Sequence, residues 1–110
     1  FGEDLWIDNL DRVVIGNHVC LSQQAYICTG SHDWSIQSFD LITRPVHVLD
    51  HSWVGARAVV APGAVVSEGT VLGLGAVGNG ELKPWTVYAG NPAVVVSERR
   101  DPGEAVKAPG

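Results

Sequence analysis

Residues 48–77 read VLDHSW VGARAV VAPGAV VSEGTV LGLGAV, five six-residue blocks in one unbroken frame. The first position of each block is aliphatic: Val48, Val54, Val60, Val66 and Leu72. The fifth is small: Ser52, Ala58, Ala64, Thr70 and Ala76. Second positions Gly55, Ala61, Ser67 and Gly73 permit sharp bends, with Leu49 the exception. A period of six is neither the 3.6 of a helix nor the 2 of a long strand. It predicts a short strand and a corner, repeated. The aliphatic positions point into a narrow core, and the small ones sit where a corner leaves little room. Three blocks then close one coil, and coils stack by parallel hydrogen bonding. No coil has a core of its own, so stability comes from stacking.

The pattern extends outward with defects. A second frame places Ile15, Leu21 and Ile27 first and Val19, Ala25 and Ser31 fifth. Residues 1–6 form a further block with Leu5 fifth, residues 7–14 a block stretched by two, and residues 78–83 a degraded closing block. Ile27 to Val48 is 21 residues, not a multiple of six, so the repeat is interrupted from about Asp33 to Pro45. Loops that interrupt a rigid scaffold carry function disproportionately. From Ser97 onward no block is left; four charges, Glu98 to Asp101, precede a Pro-, Gly- and Ala-rich end that is expected to be poorly ordered.

Composition narrows the function classes. The 110 residues suit one domain, and 45% hydrophobic content suffices for a core. A net charge of -5 without a basic cluster argues against nucleic acid. No apolar run approaches the roughly 18 residues of a membrane span. Cys20 and Cys28 fit neither a CxxC pair nor a zinc knuckle and read as free, buried or half-buried thiols in a reducing, cytoplasmic compartment. The chain contains no Met and opens on Phe1, so a fragment lacking N-terminal coils is expected.

The blocks, the runs Trp53-Val54-Gly55-Ala56 and Pro62-Gly63-Ala64-Val65-Val66, and the closing Gly90-Asn91-Pro92-Ala93 resemble the hexapeptide-repeat acyltransferases. Within that family, Trp6 to Leu10, Cys28-Thr29-Gly30-Ser31-His32-Asp33 and Phe39 to Ile42 resemble the colanic-acid-type sugar O-acetyltransferases, with maltose and galactoside acetyltransferases as more distant relatives. The resemblance implies an all-β fold, a left-handed parallel β-helix shaped as a triangular prism, with one excursion loop and a short C-terminal tail. Periodicity does not supply the hand, since parallel crossovers are usually right-handed. The implied organisation is a β-helix acyltransferase domain over residues 1–93 and a tail over 94–110. The implied partners are acetyl-CoA as co-substrate, a sugar or glycan precursor of cell-surface polysaccharide, and two further copies of the chain in a homotrimer with active sites between prisms.

The implied reaction moves acetyl from a thioester to a sugar hydroxyl. A hydroxyl is a poor nucleophile at neutral pH, so a base must take its proton. By resemblance that base is His32, at the point where the loop leaves the coil; an unperturbed imidazole titrates near 6.5 and suits the task. Asp33, Asp8 or a backbone carbonyl can fix its tautomer, and the sequence leaves the choice open. Asn9 reads equally as a group for the acceptor or the oxyanion and as a turn residue. Trp34 and Phe39 read as sugar-stacking or as subunit packing, and so do Trp53 and Trp85 as a cofactor wall or as packing. Trp53, Gly55, Ala56, Ala58, Leu74, Gly75 and Ala76 match the family's CoA-binding positions, although corners require small residues in any case. Two departures concern the CoA phosphates. Asn79-Gly80 stands where relatives carry a Thr-Lys or Thr-Arg pair, and Val94 where they often carry a basic residue; Lys83, Arg99 or Arg100 are the candidate substitutes.

Two other readings use the same repeat. A gamma-class carbonic anhydrase-like protein would hold zinc through three His, but nothing in the spacing of His18, His32, His47 and His51 makes three converge. A non-catalytic assembly prism would need no cofactor. No metal site is expected.

Overall fold

The structure, a computed structural model, describes residues 1–32 and 41–100. Among them are fifteen strands and no helix. In chain order they are β1 (Trp6–Asp8), β2 (Val13–Ile15), β3 (Cys20–Leu21), β4 (Tyr26–Cys28), β5 (Gly30–His32), β6 (Leu41–Thr43), β7 (Val46–Val48) and β8 (Trp53–Val54). They continue with β9 (Val59–Val60), β10 (Val65–Val66), β11 (Val71–Leu72), β12 (Val77–Gly78), β13 (Glu81–Leu82), β14 (Thr86–Ala89) and β15 (Val94–Glu98). A six-residue block that must also turn a corner has room for strands no longer than two or three residues.

Three parallel sheets result: β1-β4-β9-β12, β2-β7-β10-β13 and β3-β8-β11-β14, here the first, second and third sheets. From β7 to β14 the chain visits the second, third and first sheets in rotation. Register follows the six-residue frame. Val54 lies opposite Leu21 and Leu72, Val60 opposite Ile27 and Gly78, and Val48 opposite Ile15 and Val66.

The three sheets enclose one core. Val48, Val54, Val60, Val66 and Leu72 are fully buried, as the frame predicts, and the small fifth positions are buried with them. Each buried aliphatic side chain contributes about 1.5–3 kcal/mol. Gly78 takes an aliphatic slot because a Cβ there would lie 3.0 Å from Leu72 and 3.3 Å from Leu82, whose side chains fill the space from the other two sheets. The corner hydroxyls are satisfied locally: Ser52 donates to Leu49 O at 2.8 Å and Thr70 to Lys83 O at 2.7 Å.

The corners themselves turn on the fourth residue of each block, which the sequence reading did not single out. His51, Arg57, Gly63, Gly69 and Gly75 have φ between 58° and 81°, and His18 and Gln24 occupy the same position in the earlier frame. Glycine adopts this left-handed conformation without strain. The spacing Gly63, Gly69, Gly75 was the available signal.

At one end the layer of Ile7 and Ile15 has no described layer above it, so Ile7 is exposed while Ile27 beneath is buried. At the other end β15 runs antiparallel to β14, so the tail begins as an added strand, with Val94, Val95 and Val96 exposed. The excursion opens and closes as the antiparallel pair β5-β6, with Gly30 opposite Thr43 and His32 opposite Leu41. Asp33, Trp34 and Phe39 lie outside the described residues, as do residues 101–110.

Candidate active site

His32 sits at the end of β5, where the chain has left the three-sheet rotation. The root of this hairpin is fixed by Thr29, whose side chain is fully buried. Its hydroxyl donates to Asp8 O at 2.8 Å and accepts from the Asp11 N–H at 3.0 Å. Its carbonyl accepts from the Arg44 N–H at 2.9 Å, closing the two ends of the excursion. The turn that carries Asn9 and the hairpin that carries His32 are thus tied at one residue. Asn9 is exposed and lines an open depression with Ile7, Leu10, Asp11, Arg12, Val13 and Ile15.

Asp8 and Cys28 are paired across β1 and β4, two positions along from the Trp6–Tyr26 pair. The Cys28 thiol donates to Gly30 O at 3.1 Å, the first residue of β5. A hydrogen bond with the Cys28 side chain, then burial and the negative charges of Cys28 and Asp8, hold the Tyr26 hydroxyl above its ordinary pKa. Asp8 is therefore placed close to the hairpin root, while Asp33, the other carboxylate candidate, is outside the described residues.

The residues matched to CoA binding gather at the corner between the third and first sheets. Gly75 N–H donates to Ala56 O at 2.9 Å, stacking Leu74-Gly75 on Gly55-Ala56. Gly55 has to be glycine here, since a Cβ would lie 2.7 Å from Leu72 O. Beside Gly75 nothing lies within 4 Å of a built Cβ, so its backbone is open to an approaching ligand. Leu74 is 76% exposed and Trp53 49% exposed, its indole N–H donating to Ser22 Oγ at 2.7 Å. Ala58 and Ala76 are fully buried, and their carbonyls accept from Tyr26 and Val59 in the stacking ladder. These two keep the corner narrow from within and present no side chain to a ligand. An exposed apolar edge with accessible backbone fits an extended arm of amides and methylenes.

This corner also carries a cation that the sequence reading missed. Arg57 is exposed between Ala56 and Ala58, with its Nε donating to Gln24 Oε1 at 2.6 Å. Of the substitutes named for the CoA phosphates, Arg99 is committed elsewhere. Its guanidinium donates to His51 O at 2.7 Å and Gly69 O at 3.2 Å and lies over the Trp85 ring. Trp85 packs there too, at the corner between the second and third sheets, and not beside Leu74. His18 and His51 stack at that corner with ring centroids 5.2 Å apart, and His47 sits on β7. Among the described residues no three His, Cys, Asp or Glu are grouped to hold a metal.

No family model matches the chain. Over 98 residues it is 38% identical to a protein of Escherichia coli (strain K12) named as the colanic acid biosynthesis acetyltransferase WcaF, an alignment covering 89% of this chain and 54% of that protein. It is 33% identical over 84 residues to a protein of Schizosaccharomyces pombe named as an acetyltransferase, covering 74% of this chain and 41% of that one. The chain thus spans about half the length of the curated relatives it matches. A maltose O-acetyltransferase from Clostridium difficile 630 superposes with a TM-score of 0.80 at 27% identity, over 91% of this chain and 58% of that one. A galactoside acetyltransferase in complex with coenzyme A superposes with a TM-score of 0.80 at 22% identity, over 94% and 56% of the two chains, and shares the fold.

Proposed function

We propose that this chain, which resembles the hexapeptide-repeat sugar O-acetyltransferases in sequence and in fold, carries the acyl-transfer centre of an acetyl-CoA-dependent O-acetyltransferase acting on a sugar of cell-surface polysaccharide precursors. The observation that carries this reading is the excursion: it leaves the stacked coils through His32 and is tied at its root to the turn bearing Asn9. The repeat winds left-handed as a triangular prism over residues 1–93, followed by the tail from Val94.

In this reading His32 takes the proton of the acceptor hydroxyl as its oxygen attacks the thioester carbonyl. The C–O bond forms, the C–S bond breaks, and the proton passes to the leaving CoA sulfur. No acyl-enzyme intervenes, and no metal is needed. Asp8, Asp33 or a backbone carbonyl takes the imidazole N–H and fixes its tautomer, and Asn9 and Trp34 serve the acceptor. Acetyl-CoA supplies the activated acyl group; Trp53, Gly55, Ala56, Leu74 and Gly75 line its arm, Ala58 and Ala76 keep that edge narrow, and Arg57 faces its phosphates.

The base and the CoA edge stand at opposite margins of the first sheet. His32 follows β4 on one side, and Ala56 and Leu74 precede β9 and β12 on the other. This placement supports a homotrimer in which one prism's His32 faces a neighbour's CoA edge. The free thiols fit a cytoplasmic enzyme. The test is transfer of labelled acetyl from acetyl-CoA to maltose, a galactoside and capsular-type oligosaccharides, with light scattering for the trimer. Transfer to none of them together with no affinity for acetyl-CoA overturns the reading.

A further inference from the structure

Thr29 breaks the pattern of its position. It is the third residue of its block, and the other third positions, Asn17, Gln23, Asp50, Ala56, Pro62, Glu68 and Leu74, are all exposed or half-buried. Thr29 alone is fully buried. Burying a hydroxyl is unfavourable unless its hydrogen bonds are made, so a volume-filling role would be served better by Val. Both bonds are made, and both go to one turn: the donor to Asp8 O at 2.8 Å and the acceptor lone pair to the Asp11 N–H at 3.0 Å. The segment between these anchors holds Asn9. The backbone of the same residue receives the Arg44 N–H at 2.9 Å, and the next residue, Gly30, opens β5 and pairs with Thr43. Arg44 is held in turn by its aliphatic stem, which lies against Gly63 of the following coil.

We infer that Thr29 is a positioning residue for the acceptor half of the transfer reaction, its hydroxyl setting the distance between the Asn9 turn and the His32 hairpin. The inference rests on the acetyltransferase reading. It assigns Thr29 no contact with substrate. It also separates the two halves of the site, because the CoA edge lies at the other margin of the first sheet and shares no hydrogen bond with Thr29.

Thr29→Val keeps the shape and removes both side-chain bonds; Thr29→Ser keeps them. In the full-length protein, Thr29→Val should lower kcat/KM for maltose or a galactoside by roughly 10–100-fold, the scale of an ångström-sized misplacement at a reacting centre. CoA affinity by calorimetry should stay unchanged, and Thr29→Ser should recover turnover to within about threefold of the parent, a small loss on that scale. Amide exchange gives a readout independent of activity: the Asp11 N–H should exchange faster in Thr29→Val and regain protection in Thr29→Ser. Normal turnover in Thr29→Val, or a Thr29→Ser variant as slow as Thr29→Val, overturns the inference. Unchanged Asp11 exchange in Thr29→Val overturns it as well, whether or not any sugar is acetylated. A parent protein that transfers no acetyl and has no affinity for acetyl-CoA sinks the acetyltransferase reading instead and leaves the tether to be judged by exchange; a His32→Ala variant of full activity removes only the base assignment.

Discussion

The indole of Trp85 fills the space that a side chain on Gly69 would need: a Cβ built on Gly69 lies 2.2 Å from the Trp85 ring. Gly69 also has φ of 71°, so steric and backbone reasons coincide at this corner. The stack continues as His18, His51, Trp85 and Arg99, with the His51 and Trp85 ring centroids 6.4 Å apart. Gly69→Ala should therefore destabilise the fold by about 2–4 kcal/mol, combining overpacking with a left-handed alanine. Gly75→Ala keeps the backbone penalty without the clash, since nothing lies within 4 Å there. Chemical denaturation of both variants checks the difference, and equal losses would count against the packing account.

His32→Ala should lower turnover by roughly 10²–10⁴-fold, the usual size of a general-base contribution. CoA affinity should survive. Alanine at His47, on the outer surface of the second sheet, should change activity little. Alanine at His18 or His51 should leave turnover near normal, because both belong to the Trp85 corner. Steady-state rates and cofactor affinity for the four variants decide the matter. Retained turnover in His32→Ala with loss in His47→Ala or His51→Ala would transfer the role to the zinc reading.

Arg57→Ala should raise KM for acetyl-CoA several-fold while leaving kcat near its starting value, since a rim cation binds ground and transition states alike. Arg99→Ala should act on stability instead, through the lost bonds to His51 O and Gly69 O. The contrast is read from KM and melting temperature in the same pair of variants. A KM effect confined to Arg99→Ala would reverse the assignment.

Direct transfer needs no nucleophilic thiol. Cys20 is exposed on β3, and Cys28 donates to Gly30 O. Cys20→Ala and Cys28→Ser should retain most turnover. An acetylated cysteine trapped by mass spectrometry, with turnover lost on its replacement, would establish a ping-pong route.

Tyr26 should titrate above the ordinary phenol value of about 10. A raised folded-state value means the neutral form is favoured by folding. That stabilisation is fully present below the unfolded pKa and is lost as pH rises through the folded one. Absorbance near 295 nm during alkaline titration should show this late phase, lost in Tyr26→Phe and shifted down in Cys28→Ala. A Cys28→Ala titration identical to the parent would remove the thiol as the main cause.

The sequence by itself determined the stack. A strict six-residue frame leaves Val48, Val54, Val60, Val66 and Leu72 one way to be buried together, and the small fifth positions admit only a tight corner. Local chemistry repeated at a fixed period is enough to specify a fold in which each unit meets only its neighbours. The excursion was legible as a break in phase, but not its start: Gly30 to His32 already pair with Leu41 to Thr43, so Ser31 closes no corner and His32 lies inside the hairpin and not at the end of a coil. Tertiary structure decided what no periodicity encodes. Thr29 meets Asp8 and Asp11 across coils separated by about twenty residues. Arg57 meets Gln24 and Arg99 the Trp85 ring for the same reason, because register between coils sets which outward side chains are neighbours. A frame fixes which residues face in; the pairing of strands, through the space left by each corner, fixes which of the others meet.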